Sequence, residues 1–389
     1  MKIIWLASWY PNKYEPVNGD FIQRHAKAVS NILPIDVLHV VQLGKNFEAN
    51  NEIETINAKN LTEHICYFKF KKWGIGIIDK IRYNTLYKKT ALAFVENFIK
   101  TNGKPDLIHV HVPMKSGWVA YSLKKKYSIP YIVSEQASYY DDEAPDNFKN
   151  RSLFFKLNTK KVCKNAIAIS NVSSVIAKKM EKLLNVKNIH TIHNIANTKR
   201  FFYMPIQPQN EFIWVHVSTL SEQKNIPGII YAFRQLVAEN IQLCKLVLVG
   251  TYKELHEPLV KQLQLEHLIN FTGEVTHHQV AGYLQSANAF VLFSKHENFP
   301  CVLVEALCCG LPVVATNVGG IADAINDNNG LMVPSNNVVA LTAAMKSVMM
   351  NYKNYNQAFI AERAKQLYDD EVIAKQFVAL YENCLKDKV

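Results

Sequence analysis

The stretch Ser294-Lys-His-Glu297-Asn298-Phe299-Pro300-Cys301-Val302-Leu-Val-Glu305-Ala-Leu-Cys-Cys-Gly310-Leu-Pro-Val-Val-Ala-Thr316-Asn-Val-Gly319-Gly320 decides how this chain is read. Pro300 suits the start of a helix, where the missing N–H goes unnoticed. Gly310 suits its end, and Leu311-Pro-Val-Val-Ala then reads as a buried strand. Glu297 therefore falls in the loop ahead of the helix, and Glu305 inside it among apolar residues. Five helical steps from Pro300 to Glu305 rise roughly 7.5 Å, about the span from a phosphate at the helix start to the ribose beside it. The backbone N–H groups of Asn298, Phe299, Cys301 and Val302, with the helix dipole, form a site for an anion. Glu305 can then accept hydrogen bonds from ribose hydroxyls. A partner of this kind accounts for a carboxylate in apolar surroundings, which is rarely buried alone.

This run resembles the signature of the retaining nucleotide-sugar glycosyltransferases of family 4: a glutamate, seven residues, a second glutamate, then Gly-x-Pro-Val-Val-Ala-Thr and a Gly-Gly loop. The similarity extends over nearly the whole chain and is strongest from about Val217 to Gly330. It implies the GT-B architecture, two Rossmann-like doubly wound α/β domains with a cleft between them. It also implies glycosyl transfer with retention of configuration, by a front-face route that needs no protein base and no metal. On this reading Glu297 contacts the donor sugar and Glu305 the ribose. Lys224, in Val217-Ser-Thr-Leu-Ser-Glu-Gln-Lys224 after a strand, lies against the donor diphosphate. A leaving nucleoside diphosphate gains negative charge in the transition state, and a fixed cation stabilises it. The resemblance thus implies Glu297 and Lys224 as the catalytic residues.

The resemblance places further residues. Thr219 stands where many members carry arginine and supplies a hydrogen bond in place of a charge. Gly273-Glu274-Val275 corresponds to the loop around the nucleotide base, which does not tell uridine from guanosine, so the donor is UDP- or GDP-linked. Gly19 ends the first strand–helix loop and permits close backbone approach to a phosphate. Gln136 stands where members usually carry a histidine near the transferred sugar. Independently of the resemblance, His111 lies at a strand end and is an acceptor-side candidate. His193-Asn194 to Phe201 resembles the family's hinge between domains.

A chain of 389 residues exceeds one typical core, so two domains are expected. They are placed at 1–197, binding the acceptor, and 205–368, binding the nucleotide sugar. The amphipathic tail 369–389 packs on its own domain or, as the resemblance implies, back on the first. Strands are expected at Ile3–Ala7, Asp36–Val41, Leu107–Val112, Tyr131–Ser134, Ala166–Ser170 and His190–Asn194, with Asp20 as N-cap of a helix from Phe21. A second series runs Phe212–Ser218, Lys245–Gly250, Ile269–Thr272, Ala289–Phe293 and Pro312–Thr316. The stretch Asn197–Glu211 reads as the linker.

Hydrophobic content of 49% and charged content of 20% fit an ordinary globular protein. No apolar run reaches a transmembrane length, and the apolar N-terminus is too short for a signal peptide. Seven cysteines without paired spacing point to a reducing, cytoplasmic setting. No cofactor and no metal is expected: His109-x-His111 lacks further ligands, and Asp141-Asp142 reads as a solvated turn. Residues 1–200 carry net +15 and residues 201–389 net −4. The basic half suits an anionic partner, either a membrane surface or a lipid-linked acceptor, and no nucleic-acid motif accompanies it. Tyr67–Tyr83 mixes aromatic, aliphatic and basic residues, which fits a membrane interface with the protein peripheral on the inner face of the cytoplasmic membrane, or a cover for the sheet. The overall expectation is transfer of a sugar to a glycan or lipid-linked acceptor in bacterial surface polysaccharide or glycolipid assembly. The rivals are a non-catalytic partner subunit, suggested by Thr219 and Gln136, and another GT-B enzyme such as a nucleotide-sugar epimerase.

Overall fold

Short β-branched runs separated by amphipathic stretches favour parallel strands buried beneath helices on both faces. The computed structural model describes residues 1–43, 52–205, 211–239 and 243–386. It divides into two compact units, one of Met1–Ala137, Phe148–Ile192 and the tail from Ile373, the other of Ser138–Asn147 and His193–Val372.

The first unit is built on one sheet of β1 (Ile3–Ala7), β2 (Ile35–Leu43), β3 (Ile53–Ala58), β4 (Leu61–Lys69), β5 (Leu107–His111), β6 (Tyr131–Glu135), β7 (Ile169–Asn171) and β8 (Ile189–Thr191). Their order is β3-β4-β2-β1-β5-β6-β7-β8, parallel throughout except for the β3–β4 hairpin. The helices are α1 (Asp20–Ser30), α2 (Gly76–Asn102), α3 (Ser116–Tyr127), α4 (Leu153–Asn165) and α5 (Ser174–Leu184). All five residues of β1 are buried, as a central strand covered on both faces requires.

The second unit has β9 (Phe212–Val217), β10 (Cys244–Val249), β11 (Ile269–Gly273), β12 (Ala289–Leu292), β13 (Val313–Thr316) and β14 (Gly330–Val333), all parallel, in the order β11-β10-β9-β12-β13-β14. Around it lie α6 (Ile226–Ala238), α7 (Glu257–Gln262), α8 (His277–Gln285), α9 (Cys301–Cys308), α10 (Val338–Met350) and α11 (Gln357–Tyr368). The last helix, α12 (Asp370–Lys386), joins the first unit from Ile373 onward. There Tyr381 Oη pairs with His109 Nδ1 at 2.7 Å, and Phe377 packs on His25 with ring centroids 5.3 Å apart.

Several local expectations need correction. Gly19, not Asp20, caps α1: it adopts a left-handed φ of 69°, and its carbonyl accepts from Ile22 N–H at 2.9 Å. The Asp20 carboxylate instead pairs with Arg24 one turn on, at 2.6 Å. Ala166 is the C-cap of α4, so β7 starts only at Ile169. Glu135 ends β6 rather than following it, and its Oε1 accepts from the Gln136 and Ala137 N–H groups. The strand expected at His190–Asn194 is the shorter β8, ending at Thr191. Pro300 is the N-cap of α9, one place ahead of the first helical residue. Asp141 is buried, not solvated, and its Oδ1 accepts from Glu143 N–H at 3.3 Å. The β3–β4 hairpin and β14 were not expected. β3 is almost wholly exposed, so it carries no apolar alternation to read. Part of the expected linker, residues 206–210, lies outside the described residues.

Candidate active site

In an open parallel sheet, ligands bind beyond the carboxyl ends of the strands where the order reverses. In the second unit that point lies between β9 and β12. The loop after β9 carries Thr219 and Lys224; the loop after β12 carries Glu297 and Asn298. Three hydrogen bonds zip these loops together: Lys295 N–H to Gln223 O and Gln223 Nε2 to His296 O, each at 2.8 Å, and Lys295 Nζ to Glu222 Oε1 at 2.8 Å. The result brings Lys224 Nζ into a hydrogen-bonded ion pair with Glu297 Oε1. Both side chains are largely withdrawn from water, 16% and 7% exposed.

Two buried histidines set the β9 loop. His216 donates from Nδ1 to the Val291 carbonyl at 2.8 Å, which leaves Nε2 to accept from Ser218 Oγ at 2.7 Å. Ser218 Oγ in turn accepts from Leu220 N–H at 2.8 Å. Burial, opposed in part by the Val291 carbonyl, lowers the His216 pKa to about 4, so the ring is neutral near pH 7. His256 Nε2 donates to the Leu220 carbonyl at 2.7 Å. Leu220 is thereby held in a left-handed φ of 52°, strained for a leucine, with exposed Thr219 at the tip.

The β12 loop is held by glycine and by the 193–194 segment. A Cβ on Gly319 would lie 1.7 Å from the Glu297 carbonyl oxygen, and its φ is +55°. Gly320 N–H donates to Asn298 O at 2.7 Å, so the Gly-Gly loop grips the Glu297 loop directly. From the other side Asn194 Nδ2 donates to Phe299 O at 2.6 Å, and the His193 ring stacks on Phe299 at 4.5 Å. The residues read as a hinge thus also brace the loop that presents Glu297.

Helix α9 begins at Cys301 with no side-chain cap, Val302 follows in its first turn, and the positive end of the helix dipole lies at this start. Glu305 lies one turn in, only 4% exposed. His277 Nε2 stands 2.9 Å from Glu305 Oε1, and Arg200 Nη1 stands 2.7 Å from His277 Nδ1. Arginine only donates, so His277 accepts at Nδ1 and donates from Nε2 to the carboxylate. The capping box of Thr276 and Gln279 fixes the start of α8, and Phe201 packs edge-on against the imidazole at 4.9 Å. Gly273 ends β11; its carbonyl accepts from Gly250 N–H at 3.1 Å and Thr272 Oγ at 2.9 Å. Both lone pairs of this carbonyl are thus taken, while Glu274 is exposed and Val275 half-buried.

The structure therefore places Lys224, Glu297, Asn298, Phe299, Cys301, Val302, Glu305 and Thr219 in the segments that follow the central strands β9 and β12, with Gly273, Glu274 and Val275 on the loop leading to His277. Gly19, Gln136 and His111 belong to the first unit. A Cβ on Gly19 would sit 2.6 Å from the backbone carbon of Trp9, so the chain's own packing already demands glycine there. Gln136 Nε2 lies 3.2 Å from His25 Nδ1 on α1. His111 ends β5 with its ring fully buried, 4.0 Å from the His109 ring and 4.1 Å from Trp5. Burial, then the nearby His25, holds its pKa well below the ordinary histidine value. No group of three or more His, Cys, Asp or Glu side chains suited to a metal occurs among the described residues. Sequence reasoning missed Arg200, His277, His216 and His256. None sits in the signature run, and the partners of His277 and His256 are remote in sequence.

Comparison with known proteins bears on the family and the fold. Residues 200–366 match the family described as Glycosyl transferases group 1, and residues 58–200 match Glycosyltransferase Family 4. A Methanocaldococcus jannaschii glycosyltransferase, MJ1178, is 30% identical over 253 residues, covering 64% of this chain and 67% of that protein. The chain belongs to the group 1 glycosyltransferase family. TuaC of Bacillus subtilis, named as a teichuronic acid biosynthesis glycosyltransferase, is 24% identical across 97% of this chain and 95% of its own length. Among solved structures, sucrose-phosphate synthase from Thermosynechococcus elongatus superposes with a TM-score of 0.79 at 19% identity, covering 100% of both chains. Anabaena Alr3699/HepE in complex with UDP gives 0.73 at 17% identity, covering 98% of this chain and 100% of that one. Both likenesses establish the GT-B fold.

Proposed function

We propose that this group 1 glycosyltransferase moves a sugar, with retention of configuration and without a metal or cofactor, from a UDP- or GDP-linked donor to a glycan or lipid-linked acceptor. The observation that carries the reading is the Lys224–Glu297 pair at the β9/β12 reversal, beside the uncapped start of α9. Lys224 and the α9 terminus take the diphosphate. Glu297 takes the donor sugar and Glu305 the ribose hydroxyls. The bond from the anomeric carbon to the diphosphate oxygen breaks, and that carbon joins an acceptor oxygen on the same face. The acceptor's proton passes to the departing phosphate oxygen, so no side chain need act as base. Gln136, which cannot act as one, is assigned to the acceptor side with His111 behind it. Gly19 is assigned to close approach by the diphosphate.

The setting we infer is assembly of a bacterial surface polysaccharide or glycolipid, at the cytoplasmic side of an anionic membrane. Support comes from the naming of TuaC for teichuronic acid, and of WcaL from Salmonella typhimurium, 29% identical over 177 residues, for colanic acid. The basic N-terminal half supports the membrane surface. Among the described residues no helix is long and apolar enough to cross a membrane.

A panel of nucleotide sugars tested for thermal stabilisation, followed by donor hydrolysis without acceptor, checks the reading. One UDP- or GDP-sugar should raise the melting temperature and be slowly hydrolysed. A panel that leaves the melting temperature unmoved sinks the donor assignment. Stabilisation without any hydrolysis or transfer favours a non-catalytic subunit.

A further inference from the structure

Helices α2, α3 and α4 enclose a surface groove of about 1110 Å³ in the first unit. That is slightly above the usual range of ligand-sized cavities, roughly 300–1,000 Å³. The apolar part of its wall is Ile77, Ile81 and Leu92 from α2, Trp118 from α3, Phe154 and Val162 from α4. Ile77 is 78% exposed, Ile81 61% and Phe154 49%. Leu153 and Leu157, on the same helix as Phe154, are also exposed, at 69% and 57%. Large apolar side chains left exposed and grouped at the wall of one groove mark a surface suited to an apolar ligand segment.

Charge selects the occupant. Lys80, Lys88, Lys89, Lys125 and Lys161 line the groove, and no Asp or Glu does. Among the described residues none of these five pairs with a carboxylate; the neighbouring Lys126 does, with Glu96 at 2.8 Å. Lys125 and Lys161 lie over the same Tyr121 ring, 5.4 and 4.7 Å from its centroid. Two ammonium groups held at one ring without a counter-ion favour an anion between them. A second copy of this chain, docked by two-fold symmetry, would set these lysines against themselves. A soluble polyanion would match the lysines but leave Ile77, Ile81 and Phe154 in water.

We propose that this groove binds an anionic lipid of the membrane surface, its chain along the α2 and α4 apolar wall and its phosphate among the lysines. This deepens the membrane part of the proposed function by naming where, and by what chemistry, the protein meets the bilayer. It does not depend on the identity of the donor.

The test uses the full chain with phosphatidylglycerol and phosphatidylcholine vesicles at low and high salt. Wild type should cosediment with phosphatidylglycerol and keep part of that binding at high salt. Ile81→Ser/Phe154→Ser keeps every charge and should remove the salt-resistant part. Lys88→Glu/Lys89→Glu should weaken low-salt binding by about tenfold or more. Lys178→Glu/Lys182→Glu, on α5 away from the groove, makes the same change in net charge and should weaken it far less. All six positions are solvent-exposed, and melting curves verify folding. Equal weakening by both charge reversals overturns the groove and leaves only a diffuse basic surface. Absence of wild-type binding to phosphatidylglycerol overturns the groove and the membrane reading together. A dimer in solution that Ile81→Ser/Phe154→Ser dissociates assigns the groove to a second copy instead. Donor hydrolysis by the same variants keeps these failures apart from the donor-site assignment, because the groove variants should hydrolyse donor like wild type.

Discussion

Replacing Glu305 by alanine tests the donor site at its more buried carboxylate. The carboxylate is 4% exposed, and His277 Nε2 already holds Oε1 at 2.9 Å. A ribose hydroxyl donating to this anion is worth about 1.5–3 kcal/mol, the range for hydrogen bonds to charged groups. Removing it should raise the dissociation constant for the cognate nucleoside diphosphate roughly 10- to 150-fold. The substitution also leaves the His277 N–H without that acceptor. The ring is one-third exposed, so water can replace the carboxylate there, and the stability loss should be near the low end of about 1–3 kcal/mol. Calorimetric titration with UDP and GDP, run well below each variant's melting temperature, separates the two effects. His277→Ala should weaken nucleotide binding by about 1 kcal/mol, since the carboxylate stays but loses a donor that orients it. The double variant should then show a coupling of about 0.5–3 kcal/mol, because neighbours in one hydrogen-bonded chain are not additive. Unchanged nucleotide affinity in a folded Glu305→Ala protein would refute the ribose assignment. Strict additivity with His277→Ala would refute the positioning of Glu305 by His277.

Transfer should persist in excess EDTA, since Lys224 and the α9 terminus are proposed to hold the diphosphate; loss of activity restored by magnesium or manganese would count against that arrangement. Gly319→Ala should abolish activity and lower the melting temperature, because its Cβ would lie 1.7 Å from the Glu297 carbonyl oxygen; a fully active variant would show that the loop yields freely. Acid should destabilise both units. His216 and His39 have pKa values lowered to about 4, chiefly by burial. The unfolded chain binds their protons below about 6.5 while the folded one does not, so stability should fall as pH drops from about 6.5 to 4, by up to about 3 kcal/mol for each histidine. Denaturant titrations across that window in wild type and His216→Gln check this; an unchanged slope with pH in the variant would exclude His216 as the source.

The sequence by itself determined the α/β class, the two-part organisation and the signature run with Glu297, Pro300, Glu305 and Gly310. These are local signals. Alternating apolar runs state the strands, and proline and glycine punctuate a helix whichever neighbours it later meets. Lys224 was legible only through resemblance, because a lysine after a strand is common and its partner lies 73 residues on. The tertiary structure alone decided which strand ends face one another at the β9/β12 reversal, and so which carboxylate receives Lys224. It alone joined Arg200 to His277 and His277 to Glu305 across gaps of 77 and 28 residues. It also turned His216 from an unremarked strand residue into the brace of the β9 loop. Gly19 makes the same point from the opposite direction. The sequence allowed a phosphate to explain it, whereas the fold explains it already by the backbone of Trp9. Backbone propensity and periodicity act over a few residues and can be read in order. Close approach, shared hydrogen bonds and burial act across space, and only the folded chain fixes them.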